Sequence, residues 1–296
     1  MKRRKHLSAD GLYQLVRQGM KRIEEHRPMN IDIPLDDALM SGFAMFSLKD
    51  RSLLAFDQRR AKPENLRNVF GIQKIPSDTQ MRTILDEVNP DDLQPLFKSV
   101  FKQLQRGKVL EKMRFMGRYY LASLDGTGYF SSHKVHCSAC LQRKHKKTGE
   151  ITYSHQMLGG AIVHPEQKAV IPLAPEPILK QDGDKKNDCE RNAAKRFLER
   201  LRRDHPRLPI IIIEDGLSAN GPHIKELKRH DFRFILGVKP GDHKYLFARV
   251  AQAEAAGQTT EFEIQKEGVT HRFRFLNEVP LNESNPDLHV NFLEYW

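Results

Sequence analysis

Two aspartates in this 296-residue chain stand where metal chemistry could be done. Asp125 closes the run RYYLASLD, residues 118–125, and Asp215 closes PIIIIED, residues 209–215. Both runs are apolar and read as buried strands that end in an acid. GTGYF follows Asp125 and GLSAN follows Asp215. Small residues at those places let another backbone approach closely. Neighbouring strands would bring the two acids to metal-bridging distance. Carboxylate oxygens are the donors that Mg²⁺ or Mn²⁺ prefer. Two such ions, about 3.5–4 Å apart, activate a water or a 3′-hydroxyl and stabilise the leaving oxygen of an in-line phosphoryl displacement. A single Asp-Gly at a strand end is first of all a turn former. It is the pair, at these two places in the strand order, that points to a metal.

The elements that must position the acids follow from the hydrophobic pattern. Strands are expected at 118–125, 153–165 and 168–178, the last two joined by a turn at Glu166-Gln167. A helix over 188–204 carries a buried stripe of Ala193, Ala194, Phe197, Leu198 and Leu201, and Asn187 with Glu190 resembles a capping box. Four consecutive isoleucines at 210–213 suit a central strand covered on both faces. A helix from Pro222 to His230 and a strand at 232–239 complete the order. Glu214 should face away from Asp215, because successive strand residues alternate. The expectation is an α/β core with a mixed sheet in the order three strands, helix, strand, helix, strand. The first three strands can form a meander, and the later units favour right-handed crossovers. After a helix at 243–256, Phe262, Ile264, Val269, Phe273 and Phe275 alternate around Glu267-Gly268, which signals a β-hairpin.

Residues 1–110 read as mostly helical, with apolar spacing at Leu12, Leu15 and Val16, at Leu39, Phe43 and Phe46, and at Leu93, Leu96, Phe97 and Val100. ENLRNVFGIQKIPSDTQMRTILDEV outlines helix, turn, helix. Gly71 breaks the first helix, Ser77 or Asp78 caps the second, and Met81, Ile84, Leu85 and Val88 form its apolar side. Such a pair serves either DNA contact or an ordinary helical bundle. The expected division is a helical domain at 1–112, an α/β core at 113–240 and a β-rich segment at 241–296.

The chain carries a formal net charge of +11 and is 39% hydrophobic, enough for a core. Residues 101–150 hold 11 Lys and Arg against 3 Asp and Glu, a local net of +8 around Asp125. Lys and Arg neutralise phosphates and release counterions, so a polyanion is the natural partner. No stretch approaches the roughly 20 apolar residues of a membrane span, and the N-terminus lacks the apolar region of a secretory signal. A cytoplasmic, nucleoid-associated protein is the resulting expectation. Three cysteines argue against a disulfide framework.

HKVHCSACLQRKH offers His133, His136, Cys137, Cys140 and His145, with His155 beyond. Thiolates and imidazole form tetrahedral Zn²⁺ sites, and Cys137, Cys140 and His136 are the candidate ligands. The other reading is a basic loop with reduced cysteines. Arg143, Lys144, Lys146 and Lys147 in the same stretch are candidate phosphate contacts.

DGTGYFSS around Asp125 and EDGLSANGPHI around Asp215 resemble the first two acid motifs of bacterial insertion-sequence transposases of the DDE type, and GIQKIPSDTQMR upstream is also similar to that family. The resemblance covers roughly residues 65–296. It implies a ribonuclease-H-like core, two-metal strand cleavage and strand transfer, and a β-rich insertion before a third acid. It also implies double-stranded DNA as partner, as element terminal inverted repeats and as target, and a homo-oligomer for the full-length protein. The family's third acid lies in the pattern Y-x-x-R-x-x-x-E, and no tyrosine here begins it. The expectation is therefore a chain truncated before its third carboxylate, weak or inactive alone. Two rivals stand beside it: a non-catalytic DNA-binding fragment acting as inhibitor or decayed remnant, and a zinc-stabilised interaction protein.

Overall fold

The computed structural model describes residues 7–28, 31–179 and 189–296. The chain divides into two compact units, residues 1–120 with 159–177, and residues 121–158 with 178–296. Among the described residues no helix is long and apolar enough to cross a membrane.

The first unit is helical, as its 3.6-residue periodicity predicts. Its helices are α1 (Ala9–Met20), α2 (Leu35–Ser47), α3 (Leu53–Asp57), α4 (Glu64–Asn68), α5 (Asp78–Leu85) and α6 (Gln94–Arg106). Ala38, Met40, Ala44, Phe56, Leu66, Ile72 and Met81 form its buried centre. Asp37 is buried within this unit and fully engaged. It accepts from Arg17 at 2.8 Å and from the backbone N–H groups of Gln73 and Lys74, which offsets the cost of burying a charge. The expected helical pair is α4 and α5. Gly71 breaks the chain between them at φ +70°, and Ser77 and Gln80 close a reciprocal capping box. Met81 and Ile84 are buried, while Leu85 and Val88 pack against the same core.

The larger sheet follows the path β2-β3-β1-β6-β7. These strands are β1 (Tyr120–Ser132), β2 (Leu141–Lys144), β3 (Ile151–His164), β6 (Ile210–Glu214) and β7 (Arg233–Leu236), with β4 (Gln167–Pro172) and β5 (Glu176–Ile178) off the path. β2 pairs with β3 antiparallel and β6 with β7 parallel, so the sheet is mixed. The fold is α/β, and the two acid-bearing strands, β1 and β6, are neighbours as expected. The four isoleucines of β6 are all buried or nearly so. α7 (Glu190–Asp204) buries all five residues of its expected stripe. Asn187 lies outside the described residues, and the residue at the helix N-cap is Cys189. α8 (Gly221–Arg229) crosses from β6 to β7, with the Asn220 side chain accepting from His223 N and Pro222 in its first turn.

Three expectations need correction. β1 does not end at Asp125 but continues seven residues to Ser132; its burial, not its backbone, changes there. The stretch read as a basic loop contains β2, because Leu141 is buried and anchors it. The run 168–178 breaks into β4 and β5 around Leu173–Pro175; Pro172, Pro175 and Pro177 supply no N–H to a ladder.

After α9 (Lys244–Ala255), three antiparallel strands in the order β10-β9-β8 form a second sheet: β8 (Thr260–Lys266), β9 (Val269–Asn282) and β10 (Asn285–Tyr295). Glu267 and Gly268 both have positive φ, 53° and 78°, as a two-residue hairpin turn matched to strand twist requires. Leu246 and Val250 of α9 pack with Val279 and Phe292 of the sheet.

Candidate active site

Asp125 stands where β1 leaves the core. Leu124 is 4% exposed, while Asp125 is exposed. Asp215 follows the last residue of β6 and is also exposed. Its Oδ1 accepts the Leu217 N–H at 3.0 Å, and its carbonyl accepts from Ser218. Asp215 thus builds the turn that its Asp-Gly sequence suggests while keeping its second carboxylate oxygen clear of that turn. The close approach read from Gly216 is real. A Cβ there would sit 3.4 Å from the Gly237 carbonyl, at the junction where β6 and β7 end.

A third carboxylate stands at the same edge. Glu190 is the first residue of α7. Its carboxylate covers Gly126, so that a Cβ on Gly126 would fall 2.6 Å from Glu190 Oε2. The Gly126 backbone N–H donates to it. Burial pushes the Glu190 carboxyl above its ordinary value, and the charges of Asp125, Asp215 and Glu214 push it the same way. That response places Glu190 in the field of both sequence-identified acids. Among the described residues, none of Asp125, Glu190 and Asp215 forms an ion pair with Lys or Arg. Their oxygens do not gather within 4.8 Å of one another as a set. Sequence reasoning missed Glu190 because it fitted a helix-capping pattern with Asn187. The available signal was its place at the start of the helix that returns to the strand bearing Asp215.

Glu214, one residue before Asp215, faces the other way, as alternation requires. It is buried, with Oε2 2.6 Å from His223 Nε2 and Oε1 accepting from the Ser218 hydroxyl at 3.1 Å. A cleft of about 320 Å³ is lined by Glu190, Arg191, Glu214, Ser218 and His223 among others. The donor set of Asp125, Glu190 and Asp215 consists of hard oxygens, a suitable set for Mg²⁺ or Mn²⁺.

The second predicted constellation is rearranged. Cys137 and Cys140 do gather with a histidine, but it is His155 of β3 and not His136. His136 neighbours Cys137 in sequence, yet its ring stacks on Tyr153 at 4.2 Å and its Nδ1 lies 3.1 Å from the Lys134 carbonyl. Arg143 and Lys144 lie on β2, and Lys146 and Lys147 in the turn that follows it. All four are exposed.

No family model matches the chain, and no curated protein is similar to it. Among solved structures, a piggyBac transposase in a synaptic complex with hairpin DNA is similar over 92% of this chain and 57% of its own, at 12% identity and a TM-score of 0.35. A Mos1 pre-cleavage transpososome is similar over 78% of this chain and 68% of its own, at 11% identity and a TM-score of 0.21. The chain therefore spans little more than half the length of the first.

Proposed function

We propose that this chain is a DNA transposase of the DDE type whose ribonuclease-H-like core holds divalent metal on Asp125, Asp215 and Glu190. The observation that carries the reading is that Glu190 of α7 lies over Gly126 of β1, in the field of Asp125 and Asp215, with none of the three acids ion-paired to a described Lys or Arg. Three acids in one field, one of them with its proton held more tightly, are an arrangement that a doubly charged cation relieves. Mg²⁺ or Mn²⁺ bound there supplies activation of a water or 3′-hydroxyl and charge stabilisation at the leaving oxygen. The chain's own residues do the holding. Gly126 gives Glu190 its backbone donor and the room to lie over β1. The Asp215 turn fixes one carboxylate oxygen on Leu217 N. Glu190 supplies a further carboxylate beside the two acids read from the sequence. The basic residues Arg143, Lys144, Lys146 and Lys147 are the proposed phosphate contacts, and the helical unit is the proposed reader of the element ends.

The test is Mn²⁺ titration by calorimetry together with nicking of a supercoiled plasmid in Mg²⁺ or Mn²⁺. The wild type should bind Mn²⁺ and nick, and Asp125→Asn and Asp215→Asn should lose both. Mn²⁺ binding that survives both substitutions unchanged would sink the metal assignment. DNA binding with no metal-dependent nicking would leave only a DNA-binding protein.

A further inference from the structure

We propose that Cys137, Cys140 and His155 form a structural Zn²⁺ site that clamps the loop between β1 and β2 onto β3. The proposal uses none of the three carboxylates and stands or falls apart from them.

The distances carry it. The two Sγ atoms lie 3.7 Å apart, and His155 Nε2 lies 3.3 Å from each. A disulfide requires about 2.05 Å between sulfurs, so the pair is reduced. Tetrahedral zinc, with bonds of about 2.3 Å to sulfur and 2.0 Å to nitrogen, places two sulfurs about 3.8 Å apart and sulfur about 3.5 Å from nitrogen. The three donor atoms thus already stand nearly at the edges of a zinc tetrahedron.

The surroundings hold the imidazole for that purpose. Tyr129 stacks on the His155 ring at 5.9 Å with planes 16° apart, and Phe130 lies at 5.7 Å. The His155 Nδ1 is buried with no hydrogen-bond partner among the described residues, and Nε2 faces the two sulfurs.

The sequence separation explains the role. Cys137 and Cys140 lie in the loop before β2, and His155 lies on β3, the strand to which β2 pairs. A metal between them ties the loop joining β1 to β2 directly to β3, the strand that lies between those two in the sheet. Cys140 is buried and Cys137 exposed, so the cluster opens to solvent on the Cys137 side. His136 is engaged with Tyr153 and is not a ligand.

The experiment is metal analysis of the protein purified under reducing conditions, then replacement of the metal by Co²⁺. One zinc per chain is expected. Cys137→Ser should lose it, as should His155→Ala, while His136→Ala and Cys189→Ser should keep it. Cys137 is exposed, so its substitution leaves the fold intact. The wild type loaded with Co²⁺ should show thiolate-to-metal charge transfer and the intense visible bands of a tetrahedral site. Either a wild type with free thiols and no zinc, or zinc retained in the Cys137→Ser, Cys140→Ser double variant, overturns the proposal. A Cys137–Cys140 disulfide in the freshly reduced protein, loss of zinc in His136→Ala, or octahedral Co²⁺ spectra would overturn it as well.

Discussion

The two clusters of ligand-type residues in the second unit differ in one respect. The sulfur and imidazole donors of Cys137, Cys140 and His155 converge, whereas the oxygens of Asp125, Glu190 and Asp215 stay apart. Charge accounts for the difference. Reduced thiols and an imidazole can be neutral, so packing brings them together at little electrostatic cost. Three carboxylates repel, and Glu190, raised first by burial and then by the charges of Asp125, Asp215 and Glu214, holds its proton more tightly. A soft-donor site can therefore be preformed, while a hard-donor site is completed by the cation it binds. Metal should thus act mainly on stability at the first cluster and mainly on chemistry at the second.

The largest effect should come from breaking the oxygen cluster. Lewis-acid stabilisation by a bound metal is worth several kcal/mol, and each 1.36 kcal/mol is tenfold in rate. Asp125→Asn or Asp215→Asn should therefore lower metal-dependent nicking by about 10³-fold or more, with thermal stability in EDTA unchanged or raised. A substitution that lowers both nicking and stability in EDTA would instead make these acids structural. Removal of zinc should do the reverse. At a free concentration 100 times its Kd, a ligand stabilises the folded state by about 2.7 kcal/mol. Chelation should lower the melting temperature of the wild type and leave that of Cys137→Ser where it is.

Legibility in the sequence follows the same division. β6, α7 and the hairpin at Glu267-Gly268 were readable because period, stripe and turn chemistry are local. Asp125 and Asp215 stand out in the sequence because each closes an apolar run. Glu190 was not, since its meeting with Gly126 spans 64 residues, and local pattern alone assigned it to a helix cap. His155 was missed for a related reason. His136, adjacent to Cys137, looked like the ligand, but β3 brings the more distant histidine to the sulfurs and Tyr153 occupies the nearer one. β2 was hidden because three of its four residues are exposed and polar, and pairing with β3 decides it.

Gly126→Ala offers a finer probe. The added Cβ would meet only the end of the flexible Glu190 side chain, so stability should change by less than about 1 kcal/mol. The Glu190 carboxylate would have to move, and nicking should fall by roughly tenfold, the equivalent of 1.36 kcal/mol. Unchanged nicking would mean that the position of Glu190 over β1 has no bearing on the chemistry.

Glu190 itself sets a pH dependence. Its carboxyl titrates above the ordinary 4.5, so between those two values the folded chain binds more protons than the unfolded one. Stability then falls as pH rises through that window, and the penalty persists above it. In EDTA, Glu190→Gln should remove this decline and exceed the wild type in stability at neutral pH. With saturating Mg²⁺ the order should invert, because the wild type gains the metal's binding energy. A pH profile in EDTA that is the same for both proteins would show that Glu190 is not strained by its neighbours.

The smallest effect concerns Lys146 and Lys147, exposed in the turn between β2 and β3. Neither is needed by the fold, so substituting both by Ala should move stability by no more than about 0.5 kcal/mol. If each contacts a phosphate, the slope of log K against log salt for duplex DNA should become shallower by about 1 per lysine. An unchanged slope would make them solvated charges only. This measurement also joins the two clusters. The hairpin carrying the lysines is the one that the sulfur cluster fastens, so chelation should weaken DNA binding in the wild type. The Lys146→Ala, Lys147→Ala variant has already lost those contacts and should respond less. Equal responses would mean that zinc holds the loop without presenting it to DNA.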